Sequence, residues 1–211
     1  LESAIRRIAA REGNYPAPLF STSKDWVLGL LLGDVPRAPS HFVTPHELPD
    51  VVARLTNKES AATGTVVAVH GMSGAGKSVF AAAVARSFDV RKAFPDGVVW
   101  LSIGRYDPEL TVSRCRALLE PFCYATQRSA QIESVEAFGG ALRRGLESRR
   151  VLLILDDVRH VAGLQWLFNA LGPACSVLVT TQDAGVATAL ADVERCIDLG
   201  EPSLEASVEL L

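Results

Sequence analysis

The 211-residue sequence lacks several features that would indicate particular classes of protein. Its 21 Lys and Arg residues do not outnumber its 24 Asp and Glu residues, and the net charge of -3 gives no general reason to expect nucleic acid as a partner. No apolar run approaches the roughly 18 residues that a membrane span needs, and no signal peptide is recognisable. We therefore expect a cytoplasmic protein without a membrane partner.

The sequence also has only four cysteines, which are Cys115, Cys123, Cys175 and Cys196. Their spacing matches no pairwise metal-ligand pattern. Three of them lie in apolar or helical contexts, which favours reduced structural thiols over disulfides.

The central feature that is present is the stretch from Thr65 to Phe88, TVVAVHGMSGAGKSVFAAAVARSF. It opens with a short apolar, β-branched run typical of a buried strand, and it closes with an alanine-rich run of helical spacing. Between these runs, residues 71–78 match the phosphate-binding loop pattern G-x-x-x-x-G-K-[ST]. The predicted nucleotide-binding residues here are Gly71, Met72, Ser73, Gly74, Ala75, Gly76, Lys77, Ser78 and Val79.

The residue types of this loop suit an anionic ligand. Glycines allow backbone conformations that a Cβ would forbid, so successive N–H groups can point at a phosphate, and the helix that follows adds its positive dipole end. Lys77 supplies a charge that can reach the β- and γ-phosphates, so we also count it as catalytic. The hydroxyl of Ser78 is a candidate ligand of Mg²⁺.

A second constellation lies at residues 151–157, where five apolar residues lead into Asp156 and Asp157. The pattern predicts a buried strand that delivers carboxylates to the sheet edge at which open α/β sheets bind ligands. We assign Asp156 to Mg²⁺, through water, and Asp157 to the orientation or deprotonation of an attacking water. The alternative is an apolar strand that ends in Asp for turn formation.

A third element, residues 177–183, is predicted as a strand that ends in Thr180 and Thr181, followed by Gln182. P-loop ATPases with an inserted strand place a residue that senses the γ-phosphate here, and the family resemblance described below implies Gln182 for this role. A strand that ends in a threonine-rich turn is the alternative.

Strands and helices alternate along the sequence, which predicts an α/β fold with a mostly parallel sheet. The predicted strands are residues 65–70, 98–103, 151–155, 176–180 and 195–199. Upstream, we predict helices at residues 1–11, 26–32 and 48–55, with an extended linker around Pro36 and Pro39.

These motifs occur in the order shown by the NB-ARC family of STAND nucleotide-binding proteins, which the chain resembles from about Val35 to Leu211. The matching segments are residues 42–44, 69–72, 76–78, 94–95, 99–102, 152–158 and 178–181. The resemblance implies a P-loop NTPase three-layer sandwich whose five strands run in the spatial order 5-1-4-3-2. It also implies that residues 35–200 are the NB-ARC domain and 201–211 the start of a following helical domain. The helical pattern near the start of the chain favours residues 1–34 as a helical extension or the end of a preceding effector domain. We therefore expect a fragment of a longer protein.

The resemblance further implies a function. ADP or ATP, with dATP as a further option, would bind with Mg²⁺, and Phe42 and Val43 would lie near the adenine. Family members are switches in which ADP holds a closed monomer and ATP or dATP permits oligomerisation that gathers effector domains. We therefore expect apoptosis-like or innate-immunity-like signalling, self-oligomerisation, an effector recruited through a domain outside this chain, and slow ATPase activity at most.

Three positions depart from the usual family pattern, since Gln182 and Pro45 stand where arginines are common and Arg159 stands where tryptophan is usual. Loss of two cations beside the phosphates is expected to weaken the distinction between ATP and ADP, because a charged contact contributes roughly 1.5–3 kcal/mol against about 1 for a neutral one. Two alternatives stay open: a P-loop enzyme such as a small-molecule kinase, and a pseudo-ATPase that serves as an interaction module.

Overall fold

The structure is a computed structural model that describes residues 28–37, 39, 44–57, 64–104, 108–123 and 134–200, with the backbone alone at 108–112. The predictions for residues 1–27, for Phe42 and Val43, and for residues 201–211 lie outside these described residues. No helix in the described ranges combines the length and apolar character that a bilayer crossing needs.

The described residues form one sheet with helices on both faces. Its strands are β1 (Leu31–Leu32), β2 (Thr65–His70), β3 (Gly97–Ser102), β4 (Val151–Val158), β5 (Ser176–Thr181) and β6 (Cys196–Asp198). The helices are α1 (Leu48–Thr56), α2 (Lys77–Arg86), α3 (Phe88–Ala93), α4 (Pro108–Leu119), α5 (Val135–Leu146), α6 (Gln165–Asn169) and α7 (Ala184–Leu190).

The strands of the sheet pair in parallel in the order β1-β3-β4-β5-β2-β6. Read from β6, the five strands predicted from the sequence run in the predicted order 5-1-4-3-2, so the α/β fold class is confirmed. The order inserts β5 between β2, which precedes the phosphate-binding loop, and β4, which carries the two aspartates. Because the strands are parallel, their carboxyl ends meet at one sheet edge.

The core lies in two layers, one on each face of the sheet. Successive β4 residues alternate between them: Leu153 packs with α4, α5, α6 and α7, whereas Ile154 packs with α1, α2 and α3. All five residues from Val151 to Leu155 are fully buried, because β4 lies between β3 and β5 and is covered on both faces. The apolar run of β4 is therefore explained by its central position.

The prediction of a helix over residues 26–32 is wrong at Leu31 and Leu32, which form the edge strand β1 beside β3. Each leucine covers a different face of the sheet, as strand geometry requires. Glycines flank the pair because the chain passes very close to the sheet there: a Cβ on Gly29 would lie 2.0 Å from the Phe94 carbonyl oxygen, and one on Gly33 would lie 2.3 Å from that of Trp100.

The four cysteines are free thiols. Burial raises the pKa of Cys115 to about 12 and that of Cys123 to about 11. Thiols that stay protonated at neutral pH are poor nucleophiles, so these two fit the structural role predicted for them.

Candidate nucleotide-binding site

The phosphate-binding loop, residues 71–76, joins the end of β2 to the start of α2. Gly71, Gly74 and Gly76 have φ angles of 149°, 87° and 83°, which L side chains rarely adopt. A Cβ on Gly71 would also lie 2.4 Å from the carbonyl oxygen of Leu199, just beyond β6. The predicted need for glycine at this position therefore has two causes, the backbone conformation and the close approach of the neighbouring strand.

Helix α2 begins without a side-chain cap. Its N-cap residue, Gly76, has no side chain to accept hydrogen bonds from the N–H groups of the first turn. By contrast, α5 and α7 are capped by Ser134 and Asp183, whose side chains accept hydrogen bonds from the backbone. The uncapped N–H groups of α2 and the positive end of its dipole are the groups that bind a phosphate in other proteins.

Lys77 is the first residue of α2 and is 8% exposed. Its Nζ donates hydrogen bonds to the carbonyl oxygens of Gly71, at 2.8 Å, and Met72, at 2.6 Å, so the ammonium group lies inside the curve of the loop. The pKa of Lys77 is lowered overall, because burial outweighs the negative charges of Asp157 and Asp156, which act to raise it. The two carboxylates thus favour the charged form that an anionic ligand requires.

Ser78, Asp156 and Thr180 bring three adjacent elements together at the sheet edge. The Ser78 hydroxyl of α2 donates to Asp156 Oδ1 at 2.9 Å, and the Thr180 hydroxyl of β5 donates to the same oxygen at 2.7 Å. The two predicted metal ligands are therefore in direct contact. Thr180 is 1% exposed, so its hydroxyl depends on protein partners rather than on water.

Asp157 lies in an irregularity of β4. The register with β5 shifts between Leu155 and Val158, and Asp157 has a φ of 58°, in the left-handed region that costs a residue other than glycine about 1 kcal/mol, although aspartate tolerates it well. The Thr180 hydroxyl accepts a hydrogen bond from the Asp157 N–H at 2.9 Å. One buried hydroxyl thus fixes both aspartates, through the carboxylate of Asp156 and the backbone of Asp157.

The carboxylate of Asp157 accepts hydrogen bonds from two further side chains. Arg159 Nε and Nη2 donate to Oδ2 at 3.2 and 3.1 Å, and Gln182 Nε2 donates to Oδ1 over a longer distance of 3.5 Å. A cavity of about 460 Å³ lies beside them, lined by Gly104, Val158, Arg159, His160, Thr181, Gln182 and Asp183. The structure therefore brings Asp157 and Gln182, which were predicted separately, into one cluster.

Comparison with known protein families identifies the family of this chain. The NB-ARC domain family matches residues 46–207, which is most of the chain. The chain belongs to the NB-ARC family. The predicted resemblance is thereby confirmed, and with it a nucleotide-binding domain of P-loop type.

Relatives of this NB-ARC domain include apoptotic protease-activating factor 1 from Homo sapiens, which is 31% identical over 193 residues, and from Danio rerio, which is 33% identical over 171 residues. These alignments cover 81% and 78% of this chain but only 14% and 13% of the relatives, so the chain spans about one seventh of their length. A putative disease resistance protein from Arabidopsis thaliana is 32% identical over 118 residues, covering 56% of this chain and 17% of that protein.

Among solved structures, the chain resembles a structure of Drosophila ORC bound to DNA, with a TM-score of 0.54 and 15% sequence identity. The match covers 99% of this chain and 58% of that chain. At this low identity, the similarity supports the fold of the NB-ARC domain alone.

Two residues of this NB-ARC site were not predicted as site residues. The sequence shows Thr180 only as the polar end of a strand. Arg159 is a departure from the usual pattern that could substitute from nearby for the missing cations, although an arginine on a loop is more often solvated. In the structure, the Arg159 side chain is 28% exposed and pairs with Asp157. The sequence does show a basic residue two positions after the second aspartate. Its contact with Asp157, however, depends on the irregularity in β4, and hydrophobic periodicity does not indicate such an irregularity.

Proposed function

We propose that this NB-ARC domain binds ADP or ATP, with dATP as a further option, together with Mg²⁺, as the nucleotide-binding unit of a signalling switch. The observation that carries the proposal is the convergence of Lys77, Ser78 and Asp156 at the uncapped start of α2. Together they offer an ammonium group for phosphate, and a hydroxyl and a carboxylate for a hard cation.

The phosphate chain would lie on the N–H groups of residues 71–79, namely the loop and the first turn of α2. Within the described residues, the Lys77 ammonium makes two hydrogen bonds, both to loop carbonyls, so one of its three N–H groups is left for a phosphate oxygen. Predicted adenine contacts from Phe42 and Val43 are part of the same proposal.

The oxygens of Ser78 and Asp156 fit Mg²⁺, which prefers oxygen ligands and usually keeps several waters while it binds one or two protein groups and the phosphates. Accordingly, the described part of the chain contains no cluster of three or more His, Cys, Asp or Glu residues that would enclose a metal. When bound, the ion would neutralise negative charge on the β- and γ-phosphates.

Turnover is proposed to be slow. Asp157 is the candidate group for orienting or deprotonating water, but Arg159 already binds one of its carboxylate oxygens and Gln182 approaches the other. An attacking water would have to compete with these donors for the carboxylate, which favours a switch over an efficient enzyme.

The proposed role in signalling is supported by two relatives, an apoptotic protease-activating factor and a putative disease resistance protein. We propose that ADP holds an inactive state and that ATP permits self-oligomerisation in the cytoplasm. An effector would be recruited through a domain outside this chain. The proposed division into residues 1–34, 35–200 and 201–211 belongs to the same hypothesis.

Calorimetry of Lys77→Ala tests nucleotide binding. We expect the wild-type protein to bind Mg²⁺-ADP and Mg²⁺-ATP, and Lys77→Ala to lose at least about tenfold in affinity, because a charged hydrogen bond to the phosphates is removed. Lys92→Ala, on α3 away from the loop, is the matched control and should bind as the wild type does.

Other outcomes of this experiment would support the competing functions. Absence of heat with either nucleotide would indicate a pseudo-ATPase interaction module. Nucleotide turnover that rises sharply on addition of a small-molecule acceptor would indicate a kinase. Full retention of binding by Lys77→Ala would contradict the proposed site.

A further inference from the structure

The ion pair between Arg159 and Asp157 is a contact that the sequence did not predict for the nucleotide site. Both N–H groups that Arg159 uses go to the same oxygen, Asp157 Oδ2, at 3.1 and 3.2 Å. Among the described residues the guanidinium makes no other hydrogen bond, so three of its five N–H groups have no protein partner there. A cation held at one edge only retains the capacity to bind a second anion.

The pair lies where an additional phosphate would matter most. Asp156, the proposed metal ligand, contacts Ser78 at the start of α2. Asp157 is the next residue, and its carboxylate binds the guanidinium of Arg159. Of the phosphates on the loop, the γ-phosphate would lie nearest to the group that positions the attacking water. Unless a cation intervenes, that phosphate and the Asp157 carboxylate repel each other.

There is also space for the guanidinium to move. The side chains of Arg159 and Asp157 are 28% and 35% exposed, and the cavity of about 460 Å³ borders Arg159 directly. An ion pair exposed to this degree is weak, so exchange of the guanidinium to another anion costs little. The flexible arginine chain can therefore be redirected without disturbing the core.

We propose that Arg159 distinguishes ATP from ADP in this chain by moving from the Asp157 carboxylate to the γ-phosphate. The inference rests on the proposed nucleotide-binding function and adds to it the residue that reads the third phosphate. Arg159 supplies the positive charge that Gln182 lacks. Asp157 holds the guanidinium in position when ADP is bound. When the guanidinium moves, Gln182 still approaches the other oxygen of that carboxylate, so turnover stays slow.

Gln182 is less suited to this task, although the sequence favours it. Its side chain is neutral, and its contact with Asp157 is long, at 3.5 Å. A neutral donor contributes less to phosphate binding than a charged one. We therefore expect Gln182→Ala to change nucleotide preference less than Arg159→Ala does.

The test measures the dissociation constants of ADP and of a non-hydrolysable imido analogue of ATP, both with Mg²⁺, for the wild type, Arg159→Ala and Arg159→Lys. Removal of the guanidinium should lower the preference for the triphosphate about tenfold while ADP affinity changes less than threefold. Arg159→Lys should retain part of the preference, because a point charge remains. Arg150→Ala, an arginine that precedes the same strand at the opposite sheet edge, is the matched control.

The outcomes separate this inference from the proposed function. A wild-type protein that binds neither nucleotide overturns both. If the wild type binds both nucleotides but Arg159→Ala keeps the same preference, the inference alone is wrong. If both nucleotides weaken equally in Arg159→Ala and Arg159→Lys, the residue has a structural role and the proposed sensing is again refuted.

Discussion

Replacing Thr180 by valine should disturb the site more than any other single loss of a hydroxyl in β5. The substitution keeps the shape of the side chain and removes one oxygen. That oxygen donates to Asp156 Oδ1 at 2.7 Å and accepts from the Asp157 N–H at 2.9 Å. Because Thr180 is 1% exposed, water cannot easily replace either bond.

The expected loss of stability is the sum of two contributions. An unpaired buried N–H costs about 1–3 kcal/mol, and a hydrogen bond to a charged carboxylate contributes about 1.5–3 kcal/mol. Asp156 keeps its bond from Ser78, which limits the second contribution. We therefore expect Thr180→Val to lower the free energy of unfolding by about 2–4 kcal/mol, and to weaken binding of Mg²⁺-nucleotide because Asp156 is less well oriented.

The neighbouring Thr181 provides a matched control. It is fully buried as well, but its hydroxyl accepts a single hydrogen bond, from the Asp183 N–H at 3.1 Å. Thr181→Val should therefore cost about 1 kcal/mol and leave the aspartates in place. Urea unfolding and calorimetric titration of both variants check the prediction. Equal destabilisation by the two substitutions, with unchanged nucleotide binding in Thr180→Val, would refute this reasoning.

Two other predictions follow from the structure. Gly71→Ala should lower the free energy of unfolding by about 1–3 kcal/mol and impair nucleotide binding, because the new methyl group collides with the Leu199 carbonyl and φ is 149°. Gly140→Ala is the control: this glycine lies inside α5 with its nearest neighbour 3.8 Å away, so the substitution should stabilise the protein by about 0.5–1 kcal/mol. Thermal unfolding of both variants measures the difference. Gln182→Arg should raise the affinity ratio of ATP over ADP about tenfold, because it adds a cation beside Asp157; an unchanged ratio in competitive titrations would remove Gln182 from the sensing role predicted for it.

Much of the fold could be predicted because its signals are local. The apolar runs of β2, β4 and β5 indicate strands buried on both faces, and glycines at the end of β2 indicate the loop. The strand order came from the family resemblance rather than from periodicity. Edge strand β1 was missed because two leucines are too short a run to show the alternation of a strand. The glycines beside them are required by close contacts with β3 and the turn before it, which are distant in the sequence.

The finer geometry of the site could not be predicted for a different reason. Strand β4 was expected to end at Leu155, yet it continues to Val158 through a register shift and a left-handed Asp157. This irregularity sets where Arg159 points, and neither hydrophobic period nor motif spacing reports it. The family order already placed β4 beside β5, but the contact of Thr180 with both aspartates also needs this irregularity, which brings the Asp157 N–H to the Thr180 hydroxyl.

The central claim is that the loop at residues 71–78 holds an adenine nucleotide. Its most direct test is to denature the purified protein, identify any released nucleotide by chromatography, and compare the amount with that from Lys77→Ala. We predict ADP or ATP close to one per wild-type chain, or complete loading after incubation with Mg²⁺-nucleotide, and almost none from the variant. Equal amounts from both proteins, or no nucleotide from the wild type even after such incubation, would contradict the account.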